Sequence, residues 1–195
     1  MAAGDSIVSI MNAALIALGE DLIVSPTDQT KRAVVLNNRF HPVRRRVLRE
    51  FPYDSAKQQI QLTLSTYSPP VTYDYAYALP ADCLRFWDLP DNDQAEWEVG
   101  QDATAGPLLF TNEVTPLYGV YIRDLMDPTR MDSLLVDVLG LELAIDTCEA
   151  ITQSTAKLND IKGRLADIKP VSQLVSSDEA SAKEWDEDVW LRARR

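Results

Sequence analysis

One histidine, two cysteines and thirty carboxylates are the residues of this 195-residue chain from which chemistry could be assembled. Nucleophilic catalysis needs a base placed beside the nucleophile, and His41 is the only imidazole, set among arginines just before Pro42. That setting suits a hydrogen bond at a bend or an interface better than catalysis. Cys83 and Cys148 are too far apart in sequence for a metal knuckle or a CxxC pair and read as reduced, buried thiols. No His/Cys/carboxylate cluster has metal-ligand spacing, and only 7 glycines are present, with no phosphate-binding loop among them, so no metal or cofactor is predicted. The carboxylate pairs Glu20/Asp21, Asp91/Asp93 and Glu96/Glu98 keep a muramidase-like hydrolase as the alternative function. In so acidic a chain such pairs also arise by chance as solvated surface, and the leading expectation is a protein that is not an enzyme.

The positive charges are more informative. Asp28–Phe51 holds seven basic residues in a chain of net charge −11, and no acid interrupts Lys31–Arg49. Ala33, Leu36, Phe40, Val43, Val47 and Phe51 recur at spacings of three and four, so one helical stripe can face a core while Arg32, Arg39, Arg45, Arg46 and Arg49 stay outside it. Three readings are open for this face. Its arginines can pair with acids of a neighbouring copy, for which Asp132–Glu149 is the predicted source; they can touch DNA phosphates; or they can form a solvated face without a partner. The first is favoured, with Arg39, Arg45, Arg46 and Arg49 as candidate subunit-interface residues and Arg85 added as a tie to Asp82 or to another subunit. An acidic chain with pI near 4.5 is a poor non-specific coat for nucleic acid.

These side chains need elements to position them. The N-terminal stretch is apolar but lacks a basic leader, which predicts a helix capped by Asp5 and ended by Gly19 rather than a signal peptide. A short link then predicts an antiparallel hairpin with the basic helix, capped by Ser25 or Asp28 and kinked near Asn38–Phe40 by Pro42. Beyond Pro52 the period shifts to two, with strands predicted at Ile60–Leu64, Tyr73–Leu79, Leu84–Leu89, Glu96–Val99, Leu108–Thr111 and Tyr118–Arg123. Helical spacing returns at Asp132 and again from Ser154 or Thr155, until Pro170 bends or ends the last helix. No apolar run approaches the ~18 residues that span a bilayer, so no membrane partner is predicted.

The predicted fold class is therefore α+β, mainly α: a helix bundle (the hairpin plus two C-terminal helices) with a small antiparallel β insert and an extended C-terminal tail. Residues 1–182 form one domain, with helices over 5–51 and 132–169 and the insert at about 60–124; residues 183–195 form the tail. Trp185, Trp190, Arg192, Arg194 and Arg195 are residue types common in binding anchors, so the tail is the best candidate for docking to a partner. Its alternative is to fold Trp185 and Trp190 back on the helix bundle.

Several stretches, taken in order, resemble one family. They are Ala14-Leu15-Ile16-Ala17-Leu18-Gly19-Glu20, then Phe40-His41-Pro42-Val43-Arg44-Arg45-Arg46-Val47-Leu48. They continue with Tyr73-Asp74-Tyr75-Ala76-Tyr77-Ala78-Leu79-Pro80-Ala81-Asp82-Cys83-Leu84-Arg85, Leu109-Phe110-Thr111-Asn112, Tyr121-Ile122 and Asp127-Pro128. Together they resemble tail tubular protein A of short-tailed bacteriophages, the head-to-tail adaptor or gatekeeper beneath the portal. The tyrosine strand leading into Leu-Pro-x-Asp-Cys-Leu-Arg is the most specific match. Phe51-Pro52-Tyr53-Asp54-Ser55-Ala56 departs from the family's His-Pro-Trp-Asn-Phe-Ala segment. The resemblance implies a virion protein made in the bacterial cytoplasm and placed in the portal-proximal tail. It implies a dodecameric ring between the portal and the tail nozzle (tail tubular protein B), with genomic DNA passing through the lumen without sequence-specific binding. By the same analogy the tail residues reach the portal.

Overall fold

The computed structural model describes residues 6–178 apart from 91, 93, 103 and 104. The first helix, α1, is Ile7–Leu18, and Ser6 caps it through a reciprocal pair of bonds with Ser9, while Asp5, the expected cap, lies outside the described residues. Gly19 ends it in the left-handed region at φ 68°, as its position predicts. Asn12 then binds the connection back to α1: its amide donates to the Ile23 carbonyl at 3.0 Å and its oxygen accepts from the Ile23 amide at 2.9 Å. Asp28 holds this loop by accepting from the amides of Val24 and Ser25, which leaves Thr30 to cap the basic helix α2, Lys31–Glu50. Pro42 lies inside α2, which continues to Glu50.

The antiparallel α1–α2 hairpin does not form. Both helices pack instead on α3, Ser133–Thr152, and so does α4, Thr155–Asp178. The physical reason is the apolar content of α3, which buries Leu135, Val138, Leu139, Leu141, Leu143, Ala144 and Cys148 and so has apolar surface for three neighbours. α4 passes through Pro170 to Asp178, further than the proline predicts. Its far end is fixed by Ser176, whose Oγ accepts from the Asp54 amide just beyond α2.

The strands also overturn the predicted architecture. β1 (Lys57–Leu64), β2 (Tyr75–Ala78), β3 (Cys83–Asp88), β4 (Trp97–Asp102), β5 (Gly106–Thr111) and β6 (Leu117–Arg123) lie close to their expected positions. They do not make a small insert on a helix bundle. They form one antiparallel sheet in the order β3-β6-β1-β2-β5-β4 that curls into a nearly closed barrel, and strands account for 22% of the described residues against 48% helix. The curl follows from β1, whose residues 57–62 pair with β6 while Thr63 and Leu64 pair with β2, so one strand serves two half-sheets.

Alternation then gives the barrel its own core of Leu62, Tyr77, Leu79, Phe86, Leu89, Leu109, Leu117 and Tyr121, separate from the helical core. Gly119 is part of that design. A Cβ there would lie 2.7 Å from Cε2 of Phe86, so the missing side chain makes room for the ring. The curl brings the two edge strands together, and Phe86 of β3 meets Trp97 of β4 edge to face at 4.9 Å between centroids. No helix among the described residues is long and apolar enough to cross a membrane.

Candidate functional site

α2 joins the two cores. Ala33, Leu36, Phe40, Val43, Val47 and Leu48 are buried on its inner side, and its cations meet acids along both flanks. Arg39 grips Asp146 with two bonds, Nε to Oδ2 at 2.6 Å and Nη2 to Oδ1 at 3.0 Å. Arg46 donates to Glu142 Oε2 at 3.0 Å and lies 3.6 Å from Asp146. Glu142 is shared with Lys169 of α4, which also holds Glu50, so α2, α3 and α4 meet in one ionic junction.

Toward the barrel, Asp124 follows β6 and takes two guanidiniums at once. Arg44 donates to its Oδ1 from Nε at 3.2 Å and from Nη2 at 2.5 Å, and Arg45 donates to Oδ2 at 2.9 Å. Arg44 also donates to Nδ1 of His41 at 2.7 Å. Burial alone would raise the Asp124 pKa, but the hydrogen bonds and charges of Arg44 and Arg45 outweigh it and hold the carboxyl below its usual range. Asp146 is likewise lowered, chiefly by the Arg39 hydrogen bond and against the pull of burial. His41 is shifted down by burial and by the charges of Arg44 and Arg45, against the opposing pull of Asp124; its imidazole is therefore neutral at pH 7 and accepts from Arg44.

The carboxylates expected from a neighbouring copy are thus supplied by this chain. Glu142 and Asp146 do come from the predicted Asp132–Glu149 stretch, but they lie across an internal helix contact. Arg39, Arg45 and Arg46 nonetheless keep about half of their side-chain surface in solvent, so a cationic ridge stays exposed. Arg49 and Arg85 differ from these. Arg49 donates to the Leu84 carbonyl at 3.2 Å, and Arg85 donates to the Arg49 carbonyl at 3.4 Å with its guanidinium 5.0 Å from the Trp87 ring. Neither forms an ion pair with a carboxylate among the described residues. Asp82, the suggested partner of Arg85, accepts from the Tyr121 hydroxyl instead.

Arg44 was not among the candidate residues, although it is completely buried. Its signal was present in the spacing: it follows Phe40 by four and precedes Leu48 by four, which places it beside the apolar stripe rather than on the outer face.

Arg49 and Arg85 border a cleft of about 650 Å³ where β3 and β4 approach without pairing. Leu79, Phe86, Trp97 and Pro107 give it apolar walls, and Cys83 opens onto it. Burial, with the charge of Asp82 beside it, pushes the Cys83 thiol up to about 11, so it is a poor nucleophile at neutral pH. Cys83 and Cys148 are both free thiols. Tyr77 is buried in the barrel and donates to the Glu113 carbonyl, while Tyr73 lies before β2 and stacks on Phe110 outside the barrel.

Asp21 pairs with Arg32 at 3.1 Å, and Glu96 and Glu98 are exposed. Asp91 and Asp93 lie outside the described residues, as do Trp185, Trp190, Arg192, Arg194 and Arg195. No group of three His, Cys, Asp or Glu residues is placed to hold a metal among the described residues. No protein-family model matches the chain, and a search of curated proteins finds no significant match.

Proposed function

We propose that the protein is a structural subunit that assembles head to tail into a ring, and that the ring is the adaptor of a short-tailed phage virion. It would join the portal to the tail nozzle as a dodecamer, with the genome passing through its centre. The observation that carries the ring is a pair of dissimilar apolar patches at opposite ends of the helical layer. Ile16, Leu22 and Val24 are exposed around the α1–α2 connection, Val24 at 90%. Val171, Leu174 and Val175 are exposed near the end of α4, Leu174 at 62%.

The second patch lies close to the C-terminal end of α2, because Ser176 reaches Asp54 and Lys169 reaches Glu50. The 20 residues of α2 thus set the two patches apart by roughly 30 Å at 1.5 Å per residue. Two different patches far apart cannot meet each other within one copy. Joined between copies they make a heterologous contact, the kind that closes into rings. The half-exposed arginines of α2 run between them and supply a polar rim. The identity of the ring as an adaptor rests on the sequence resemblance to tail tubular protein A.

Complementation tests the contact. Leu22→Glu with Val24→Glu blocks one patch, and Leu174→Glu blocks the other. Each variant alone is expected to remain monomeric, and their mixture is expected to yield a one-to-one dimer through the single intact pair of patches, read by mass photometry. Rings formed by either variant alone, or no dimer in the mixture, contradict the head-to-tail contact.

A further inference from the structure

The seam of the barrel is a binding groove with a cationic end. β3 and β4 are the two edge strands of the sheet, and their outer edges are unpaired among the described residues. Such edges offer a row of backbone donors and acceptors to an incoming extended segment. The cleft between them, at about 650 Å³, falls within the ~300–1,000 Å³ range of sites that enclose a ligand. Its walls are aromatic and aliphatic, and its α2 side carries Arg49 and Arg85, the two cations of the candidate set that lack a carboxylate partner among the described residues. An occupant that fits is therefore an extended peptide carrying both acids and large apolar side chains.

The sequence contains one such segment outside the described residues. Glu184-Trp185-Asp186-Glu187-Asp188-Val189-Trp190 combines four acids with two tryptophans. We infer that this segment of the protein's own C-terminal tail seats in the β3–β4 seam, its acids against Arg49 and Arg85 and a tryptophan against the apolar walls. Reach supports it. α4 ends at Asp178, and Ser176 is bonded to Asp54, immediately before β1. β3 lies two strands away from β1, roughly 10 Å at the usual strand spacing. Residues 179–183 can span about 16 Å when extended, enough to bring Glu184 to the cleft. Duplex DNA does not fit as well, because the chain carries a net charge of −11. This contact does not depend on ring formation, since it lies within one copy.

Cys83 gives the seam a built-in reporter, because it opens onto the cleft while Cys148 is buried. In the purified full-length protein, maleimide labelling of Cys83 is expected to be about tenfold or more slower than in a chain ending at Ala182. Equal rates overturn the inference. Arg49→Glu combined with Arg85→Glu is expected to raise labelling of the full chain to the truncated rate, and adding Glu184→Arg with Asp186→Arg is expected to restore protection; no change in either overturns it. Full-length Asp186→Cys, oxidised at high dilution, is expected to form a disulfide to Cys83 within one chain. A link found only between chains, or no link, overturns the assignment to the protein's own tail. This last experiment leaves the chain length unchanged and so remains decisive if the shortened protein fails to fold.

Discussion

Arg44 and Arg45 are neighbours in sequence that share one carboxylate, yet they carry different weights. Arg44 is enclosed, so removing it leaves Asp124 with one guanidinium and Nδ1 of His41 without its donor. Arg44→Leu is expected to destabilise the protein by about 3 kcal/mol in urea unfolding, whereas Arg45→Ala, at a largely exposed position, is expected to cost under about 1 kcal/mol. Similar costs for the two would contradict the burial argument. The same cluster sets a pH dependence. His41 has a folded pKa below its ordinary 6.5, so it contributes no pH dependence above about 6.5 and stability is lost as pH falls below it, where the unfolded chain takes up the proton first. Asp124 and Asp146 are lowered from 3.8, so their contribution is fully present above that value and is lost as pH falls through their folded pKa. His41→Gln should flatten the stability profile just below about pH 6.5 while leaving the more acidic decline. The sequence shows a cationic face, but it cannot show which copy supplies the acids, because Asp124 and Asp146 meet α2 only after some eighty to one hundred residues of chain have folded back.

Strands and helices were legible in the sequence where the pattern is local. Alternation and turn signals locate six strands, and the spacing of Leu134, Val138, Leu141, Ile145 and Cys148 locates α3. Closure of the barrel was not legible, since it depends on β1 pairing with β6 and on Phe86 meeting Trp97, and period-two patterning says which face a residue takes but not which strand lies beside it. Pro170, expected to bend or end the last helix, does not end it: its local cost of about 3 kcal/mol is outweighed by tertiary packing, with Ile161 buried before it and Ser172 and Ser176 after it. Gly119 offers a direct test of closure. Gly119→Ala puts a methyl group against Phe86 and is expected to cost about 1–3 kcal/mol and to perturb the Phe86–Trp97 contact, read by unfolding and tryptophan fluorescence. A neutral effect on both would show that the barrel wall is looser there than the packing indicates.

At the scale of the whole molecule, a helical layer built on α3 and a barrel are joined along α2 by the Arg44–Asp124–Arg45 cluster, and the exposed apolar patches lie at the two ends of the helical layer. That arrangement leaves the barrel free at its seam, where the tail is proposed to rest, and leaves the helical layer for the proposed contact between copies. The proposed ring, with subunits that each carry a charge of −11, would repel a duplex, which suits the proposed passage of DNA better than its retention. Negative-stain electron microscopy of the purified protein, alone and mixed with portal, tests the central claim most directly. The account predicts closed twelve-membered rings, formed alone or seated on the portal; isolated monomers under both conditions would contradict it.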